Sequence, residues 1–194
     1  ARPFDTDCPY YVLIEFENAT GTEAALEVFE HCVEQGWAAD GVMSQSEDQA
    51  RRLWRLREDI SETLSRWTPY KNDIAVRVSA VPEFLAEVDE LARRAYPDLE
   101  VVWFGHIGDG NLHLNILKPD DLEQADFFAR CHEVSKQVFA IVRRHGGSIS
   151  AEHGVGLLKR DYLEYSRPPE EIALMKSIRA IFDPDGVLNP GKLL

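Results

Sequence analysis

Apolar residues recur at three- and four-residue intervals in several stretches of the chain, and this spacing predicts helices. The longest such stretch in the N-terminal part is residues 47–67, whose apolar stripe consists of Leu53, Leu56, Ile60, Leu64 and Trp67. Pro82 is typical of a first helical turn, whereas Gly36 and Gly146 stand where two of the patterns end. The predicted helices cover residues 22–35, 47–67, 81–96 and 121–145, with one or two more near the C-terminus.

Between these helices, other stretches carry the residue types and the alternation that favour β-strands. Residues 10–17 are rich in β-branched and aromatic side chains, and residues 73–80 alternate between apolar and polar. Residues 99–117 form two such runs around a glycine-containing turn, and residues 148–156 are predicted to be a short strand that ends in a glycine turn. Helices and strands interleave and at least one hairpin is present. We therefore expect an α+β fold, a mainly antiparallel sheet covered by helices.

The stretch "GHIGDGNLHLN", residues 105–115, predicts a β-hairpin. A type I′ turn requires positive φ at both central residues, and Asp-Gly is a preferred pair for it. With Asp109-Gly110 at the tip, His106 pairs directly with His113 on the opposite strand. Residues that face each other in this way have Cβ atoms about 4.5–5.5 Å apart. The predicted register therefore suits two imidazoles that share one metal ion.

Alternation along the hairpin separates an apolar face from a polar face. The apolar face, which we expect in the core, carries Val101, Trp103, Ile107, Leu112, Leu114 and Ile116. The other face carries Phe104, His106, Asn111, His113 and Asn115. An exposed strand more often carries Thr, Lys or Glu, so histidine and asparagine at these positions indicate a site. Two histidines do not hold zinc or a similar ion firmly, and a third ligand is needed.

A candidate third ligand lies in "SISAEHGVGLLKR", residues 148–160. Glu152 and His153 follow a predicted strand, and functional groups concentrate where strands end. His106, His113 and Glu152 would form a site of two imidazoles and one carboxylate with an open coordination position. His153 would point elsewhere and could act as a base. Taken alone, the Glu-His pair is better explained as an ordinary surface pair.

Composition and charge exclude several classes of protein. The net charge of 21 − 34 = −13, without a basic stripe, argues against a nucleic-acid partner. Cys8, Cys32 and Cys131 are widely spaced and form no CxxC pair, so we expect reduced thiols. No apolar run approaches the ~18 residues of a membrane span. We expect a cytoplasmic location. Peripheral membrane association and location in an organelle remain alternatives. The sequence begins with Ala1 rather than Met, so we expect a fragment of a longer protein or a processed chain.

Three motifs carry a resemblance to a known family: "GHIGDGNLHLN", "SISAEHGVGLLKR" and "FDPDGVLNPGKLL". In this order and spacing they resemble the C-terminal domain of the FAD-linked oxidases that act on D-2-hydroxy acids. These are the D-lactate, glycolate and D-2-hydroxyglutarate dehydrogenases of the vanillyl-alcohol-oxidase type. The stretches "LWRLREDISETL" and "PYKNDIAVRV" also look like the family's substrate-side elements. The resemblance implies that residues 1–194 are the substrate or cap domain, with an FAD-binding domain N-terminal to residue 1.

The resemblance also implies roles for individual residues. His106, His113 and Glu152 match the positions that bind a divalent metal, usually zinc. His153 matches the residue that takes the hydroxyl proton of the substrate. The other implied positions bind substrate (Arg57, Lys71, Asn115, and Ser61, where a relative has threonine) or lie near the flavin ring (Asn189). Arg57 and Ser61 are four residues apart and would share one face of the predicted helix.

The implied reaction is the oxidation of a 2-hydroxy acid to the 2-oxo acid, with hydride transfer to FAD. We expect this chain to be inactive alone, because nothing in it could enclose an FAD. From the residues alone two alternatives remain, a stand-alone metal hydrolase that uses the same site and a non-catalytic binding module. Which 2-hydroxy acid, which metal, which electron acceptor and whether the protein is a homodimer remain open at this stage.

Overall fold

The computed structural model describes residues 3–4, 7–16 and 21–194. The chain forms two compact units, Ala1–Thr63 and Leu64–Leu194. The helices of the described residues are α1 Gly21–Glu34, α2 Glu47–Glu58, α3 Ile60–Leu64, α4 Val81–Ala95, α5 Gln124–Arg144 and α6 Pro169–Phe182. The strands are β1 Tyr70–Ala75, β2 Val101–His106 and β3 Asn111–Ile116. The combination of helices with an antiparallel sheet confirms the expected α+β class.

In the first unit, α1 agrees with its prediction and is followed by the left-handed Gly36. The single helix predicted over residues 47–67 is wrong, because the structure divides it into α2, α3 and a 3-10 turn at Ser65–Trp67. The interruption falls at Asp59, whose carboxylate accepts a hydrogen bond from Arg55 Nε at 2.9 Å. Asp, Ser and Thr side chains compete with helical hydrogen bonding in this polar stretch.

The apolar stripe predicted for residues 47–67 is only partly buried. Leu64 is buried, whereas Leu56 and Trp67 are half-exposed. The predicted strand at residues 10–17 is not formed in its described part, since residues 10–16 have no regular secondary structure. Residue 17 lies outside the described residues.

The second unit contains the sheet, with the order β1-β3-β2 and β3 antiparallel to both neighbours. β1 and β2 therefore run parallel with β3 between them, and α4 lies between them in sequence, as in a split β-α-β unit. The strand predicted at residues 73–80 begins earlier, at Tyr70, and ends at Ala75. The remaining part turns through a short 3-10 helix, Val78–Ala80, directly into α4.

One face of the sheet forms the core with α4 and α5. Phe84 of α4 and Phe127 of α5 are fully buried, as is Ile74 of β1. The predicted core face of the hairpin is confirmed, with Leu112, Leu114 and Ile116 buried and Val101 and Trp103 packed against the cluster. Ile107 is the exception, because it lies in the turn and is 62% exposed.

The predicted register of the hairpin is wrong. Phe104, not His106, is paired with His113, and His106 is paired with Asn111. A type I′ turn needs positive φ at two residues, but of the pair at the predicted tip only Gly110 has it, with φ 71°. The chain instead makes a four-residue connection with a 3-10 turn at Ile107–Asp109. A side chain at Gly110 would also collide with the Val76 carbonyl, 1.9 Å from an ideal Cβ, so glycine is required there.

The strand predicted at residues 148–156 is reduced to one isolated bridge between Ser148 and Ala75. The two residues exchange hydrogen bonds of 2.8 and 2.9 Å. After this bridge the chain continues as an irregular segment, in which residues 149–156 form no helix or strand. In the part of the chain that the structure describes, no helix combines the length and the apolar character that a membrane crossing requires.

Candidate active site

Three side chains of the second unit, those of His106, His113 and Glu152, meet on the sheet face opposite to α4 and α5. His106 is the last residue of β2, His113 is central in β3, and Glu152 lies in the irregular segment after the Ser148 bridge. Each offers one ligand atom, and these atoms all lie within 4.8 Å of one another. Two imidazole nitrogens and one carboxylate oxygen can hold a divalent metal ion and leave a position open.

The two histidines come together although they are not direct partners. The observed register differs from the predicted one by two residues, and a two-residue shift leaves every side chain on its original face. His106 and His113 are therefore diagonal neighbours, with ring centroids 6.0 Å apart and the rings edge to face. Phe104 is the direct neighbour and covers one side of the His113 ring at a centroid distance of 4.9 Å.

His113 has a carboxylate near each of its ring nitrogens. Its Nδ1 is 2.8 Å from Oδ1 of Asp73, and its Nε2 is 3.6 Å from Oε1 of Glu152. Asp73 was not among the residues predicted for the site. It lies on β1 directly opposite His113. The signal that could have found it is its position in "KNDIAVRV", where it alternates with the apolar residues that enter the core.

A second unpredicted residue, Lys159, holds the backbone near Asp73. Its Nζ donates to the Asp73 carbonyl at 2.7 Å and to the Ile149 carbonyl, and so joins β1 to the segment that leads to Glu152. Burial lowers the pKa of the Lys159 ammonium to about 8, against the opposing effect of the Asp73 charge. The predicted motif "SISAEHGVGLLKR" contains this lysine, but only the tertiary fold assigns it these partners.

Glu152 and His153 form the exposed side of the cluster. Their side chains are 42% and 72% exposed, whereas that of His113 is 13% exposed. The expectation that His153 points elsewhere is wrong, since its Nε2 is 3.7 Å from Oε1 of Glu152 and its ring centroid is 6.4 Å from that of His113. Asp73, Glu152 and His153 form a second group whose ligand atoms lie within 4.8 Å of one another. The cluster therefore offers a buried side with metal-ligand chemistry and an open side with a histidine beside it.

Two of the predicted substrate residues lie on the same face of the sheet. Lys71 of β1 and Asn115 of β3 are directly opposed, and the face they share is that of His113. Lys71 is exposed, whereas Asn115 is buried and donates through Nδ2 to the His113 carbonyl at 3.1 Å. The Asn115 Oδ1 is buried without a hydrogen-bond partner among the described residues.

The other two predicted substrate residues, Arg57 and Ser61, lie in the first unit. Both are exposed, Arg57 on α2 and Ser61 on α3. They do not lie on one continuous helix as predicted, because Asp59 separates α2 from α3.

Asn189, the residue predicted near the flavin, lies in the C-terminal tail. It is exposed with a left-handed φ of 50° and borders a groove of about 480 Å³ together with residues of α6. The tail is attached to the segment that follows His153, because Leu193 N donates to the Gly156 carbonyl and Arg160 Nη1 donates to the Gly191 carbonyl, both at 3.1 Å.

Comparison with known proteins gives consistent matches over nearly the whole chain. The family model "FAD linked oxidases, C-terminal domain" matches residues 1–193. Proteins named D-2-hydroxyglutarate dehydrogenase are 64% identical in Stutzerimonas stutzeri and 58% identical in Xanthomonas citri pv. viticola, in each case over 98% of this chain. The protein named mitochondrial D-2-hydroxyglutarate dehydrogenase in Danio rerio is 40% identical over 97% of the chain. The chain spans only 42%, 41% and 35% of the length of these relatives.

Proposed function

Because this chain belongs to the family of C-terminal domains of FAD-linked oxidases, we propose that it is the substrate-side domain of an FAD-dependent D-2-hydroxy acid dehydrogenase. The rest of such a protein would include an FAD-binding domain N-terminal to this one. The names and the high identity of the two bacterial relatives support D-2-hydroxyglutarate as the substrate. The observation that carries the proposal is the His106–His113–Glu152 cluster, because a divalent metal held there could bind the hydroxyl and carboxylate oxygens of a hydroxy acid.

In this proposal His106, His113 and Glu152 hold a divalent metal ion, with zinc as the first candidate. The donor set supports this assignment, since two imidazoles and one carboxylate are a common catalytic zinc set. A metal at this place would orient the substrate and lower the pKa of its hydroxyl group. The exposed side of the cluster, where Glu152 and His153 lie, would receive the substrate.

His153 is the proposed base. Its exposed ring next to Glu152 supports this role, because a base must reach the substrate from the open side of the site. The imidazole would take the hydroxyl proton while the C2 hydrogen leaves with its electron pair. FAD, when bound, supplies the acceptor for that hydride. Removal of one proton and one hydride turns the 2-hydroxy acid into the 2-oxo acid, so the reaction balances.

Cationic and polar side chains would bind the rest of the substrate. Lys71 beside Asn115, and Arg57 with Ser61, are the proposed contacts for carboxylate groups. An Arg fork suits a carboxylate, and Lys provides a compact positive charge. Two cations match the two carboxylates of a dicarboxylate such as D-2-hydroxyglutarate. Asn189 is the proposed contact of the tail with the flavin side, and residues 1–194 alone are proposed to be inactive.

The test uses the full-length FAD-loaded protein, purified with its metal content measured, and a dye as electron acceptor. We expect turnover of D-2-hydroxyglutarate with a higher kcat/KM than D-lactate or glycolate. His106→Ala should lose both the metal and the dye reduction, and His132→Ala, a histidine exposed on α5, is the matched control. Ester or amide hydrolysis without an acceptor would favour the metal hydrolase instead. Unchanged metal content in His106→Ala would contradict the metal assignment.

A further inference from the structure

Asp73 is a half-buried acid on the site face, with both carboxylate oxygens buried, and the proposed reaction does not use it. Its side chain is 15% exposed, and both carboxylate oxygens lack a hydrogen-bond partner among the described residues. Leaving a carboxylate without partners in a buried place is costly, so a position of this kind needs an explanation. The neighbouring group that could supply a partner is His113, which is paired with Asp73 on the adjacent strand β3.

The geometry between the two side chains is specific to one ring nitrogen. Oδ1 of Asp73 is 2.8 Å from Nδ1 of His113, a hydrogen-bond distance, although the present alignment of the ring is outside hydrogen-bond geometry. Hydrogen bonds in catalytic sites are often poorly aligned before a ligand binds and tighten when it does. The other nitrogen, Nε2, lies toward Glu152 at 3.6 Å.

The backbone of Asp73 is fixed independently of its side chain. Asp73 is held in β1 by pairing with β3, and Lys159 Nζ donates to its carbonyl at 2.7 Å. The bridge between Ala75 and Ser148 fixes the strand two residues further on. The carboxylate is therefore presented to the imidazole from a rigid strand, whereas Glu152 lies in an irregular segment.

From these observations we propose that Asp73 is a positioning residue that sets the tautomer and orientation of His113. The Nδ1–H of the ring is donated to the Asp73 carboxylate, and the lone pair of Nε2 is thereby directed toward Glu152 and the ligand position. A carboxylate behind a metal-binding histidine orients the ring and raises its basicity, and loss of such a partner typically weakens metal binding about 10–100-fold. The effect on metal affinity rests on the metal site proposed above, whereas the tautomer of His113 does not.

Asp73 also belongs to the second group with Glu152 and His153, so a role as a direct metal ligand must be separated from the positioning role. The two roles differ in what they demand of His113. A positioning carboxylate accepts a hydrogen bond from Nδ1 and so keeps Nδ1 protonated in the metal-free protein. A carboxylate that serves only as a metal ligand would not determine which ring nitrogen of His113 carries the proton.

The experiment uses the full-length protein in three forms: unmodified, Asp73→Leu and Asp73→Asn. Asp89→Asn is the matched control, because Asp89 also accepts from a ring N–H, that of Trp103 at 2.8 Å, but on the helix side of the sheet. Zinc affinity is measured by competition with a chelator. The ring ¹⁵N shifts of His113 are measured in the metal-free, histidine-labelled protein and assigned by their loss in His113→Gln. Thermal unfolding shows whether each variant is folded.

We expect a protonated Nδ1 on His113 in the unmodified protein, a change of tautomer in Asp73→Leu, and a fall in zinc affinity of about 10–100-fold. Asp73→Asn, which keeps an acceptor oxygen without the charge, should fall between them, and Asp89→Asn should match the unmodified protein. If the unmodified protein does not bind zinc, the proposed metal site fails, and the ¹⁵N shifts still decide the role of Asp73. The proposal is overturned if His113 has a protonated Nε2 in the unmodified protein, or if the ring shifts are the same in Asp73→Leu.

Discussion

Alternate residues of the same three strands form the two faces of the sheet, and the two faces differ in how completely their polar atoms are paired. On the helix side, even the polar residues have partners, since Asn72 donates to Ser135 and Trp103 donates to Asp89. On the opposite side, the buried oxygens of Asp73 and Asn115 lack hydrogen-bond partners in the described part of the chain. The first face has the finished packing of a core, and the second has the unpaired polar groups that are typical of a binding site.

Because of this difference, burial alone does not distinguish core residues from site residues in this sheet. Asn115 is as buried as the core residues Leu114 and Ile116, its neighbours on β3. What separates them is the direction of the side chain, because residues 114 and 116 enter the helix side and residue 115 the site side. The separation can be tested by substitutions that should affect catalysis on one face and folding on the other.

The largest effect is expected on the site side. His153→Ala should lower kcat about 10²–10⁴-fold, the usual contribution of a general base. The free energy of unfolding should hardly change, because the side chain is exposed. Steady-state kinetics with a dye acceptor and chemical denaturation of the same full-length samples measure both quantities. An unchanged kcat would exclude His153 as the base, and His132→Ala serves as the control for loss of a ring.

The next effect is expected on the helix side. Phe84 is fully buried in the core cluster, so Phe84→Ala should lower the free energy of unfolding by about 3–5 kcal/mol. Molecules that remain folded should have the same metal content as the unmodified protein, because the ring lies on the other side of the sheet from the proposed metal site. Phe182→Ala is the matched control, since this ring is 77% exposed, and it should cost much less. A similar loss of stability in both variants would contradict the assignment of the core.

The smallest effect is expected from the lysine between β1 and the Glu152 segment. The pKa of Lys159 is about 8 in the folded protein and 10.5 for an ordinary lysine. Between these values the unfolded chain binds more protons, so the contribution of Lys159 to stability rises with pH, by at most about 1.4 kcal/mol per pH unit. The unfolding free energy of the unmodified protein minus that of Lys159→Met should therefore rise from pH 8 toward pH 10.

Chemical denaturation at several pH values, with Lys176→Met on α6 as the control for loss of one positive charge, measures this difference. A constant difference across that range would show that the Lys159 ammonium is not destabilised by burial. The metal content of Lys159→Met gives a second comparison, because the segment before Glu152 would lose one of its attachments to β1.

Alternation and residue type were enough to predict the sidedness of the hairpin. The core face and the histidine face follow from period-two spacing, which does not depend on the turn. The register was not predictable from Asp109-Gly110, because that pair suits two different turns, and the observed turn is held by a tertiary hydrogen bond from Val76 N to the Gly110 carbonyl at 3.1 Å. The position of Glu152 likewise depends on the Ser148 bridge, a tertiary contact that has no local signal.

Asp73 and Lys159 show more clearly which site residues cannot be predicted from the sequence. Each is ordinary in its local sequence, an acid in a strand and a lysine after a glycine turn. Their meaning comes from the residues opposite them in the fold, His113 in one case and two backbone carbonyls in the other. Strand pairing order, β1-β3-β2, was the missing information, since it places β1 beside the histidine strand.

The four-residue connection between β2 and β3 has a consequence for how genes of this family can change in length. Compared with the predicted two-residue turn, the observed turn includes two more residues from the β2 side. Because two is an even number, His106 and His113 stay on the same side of the sheet. An insertion or deletion of one residue within β2 or β3 would turn every side chain on one side of it to the opposite face of the sheet, and so would separate the two histidines. Natural length variants should therefore fall in the turn Ile107–Gly110, outside the paired residues, or carry a compensating bulge in one strand.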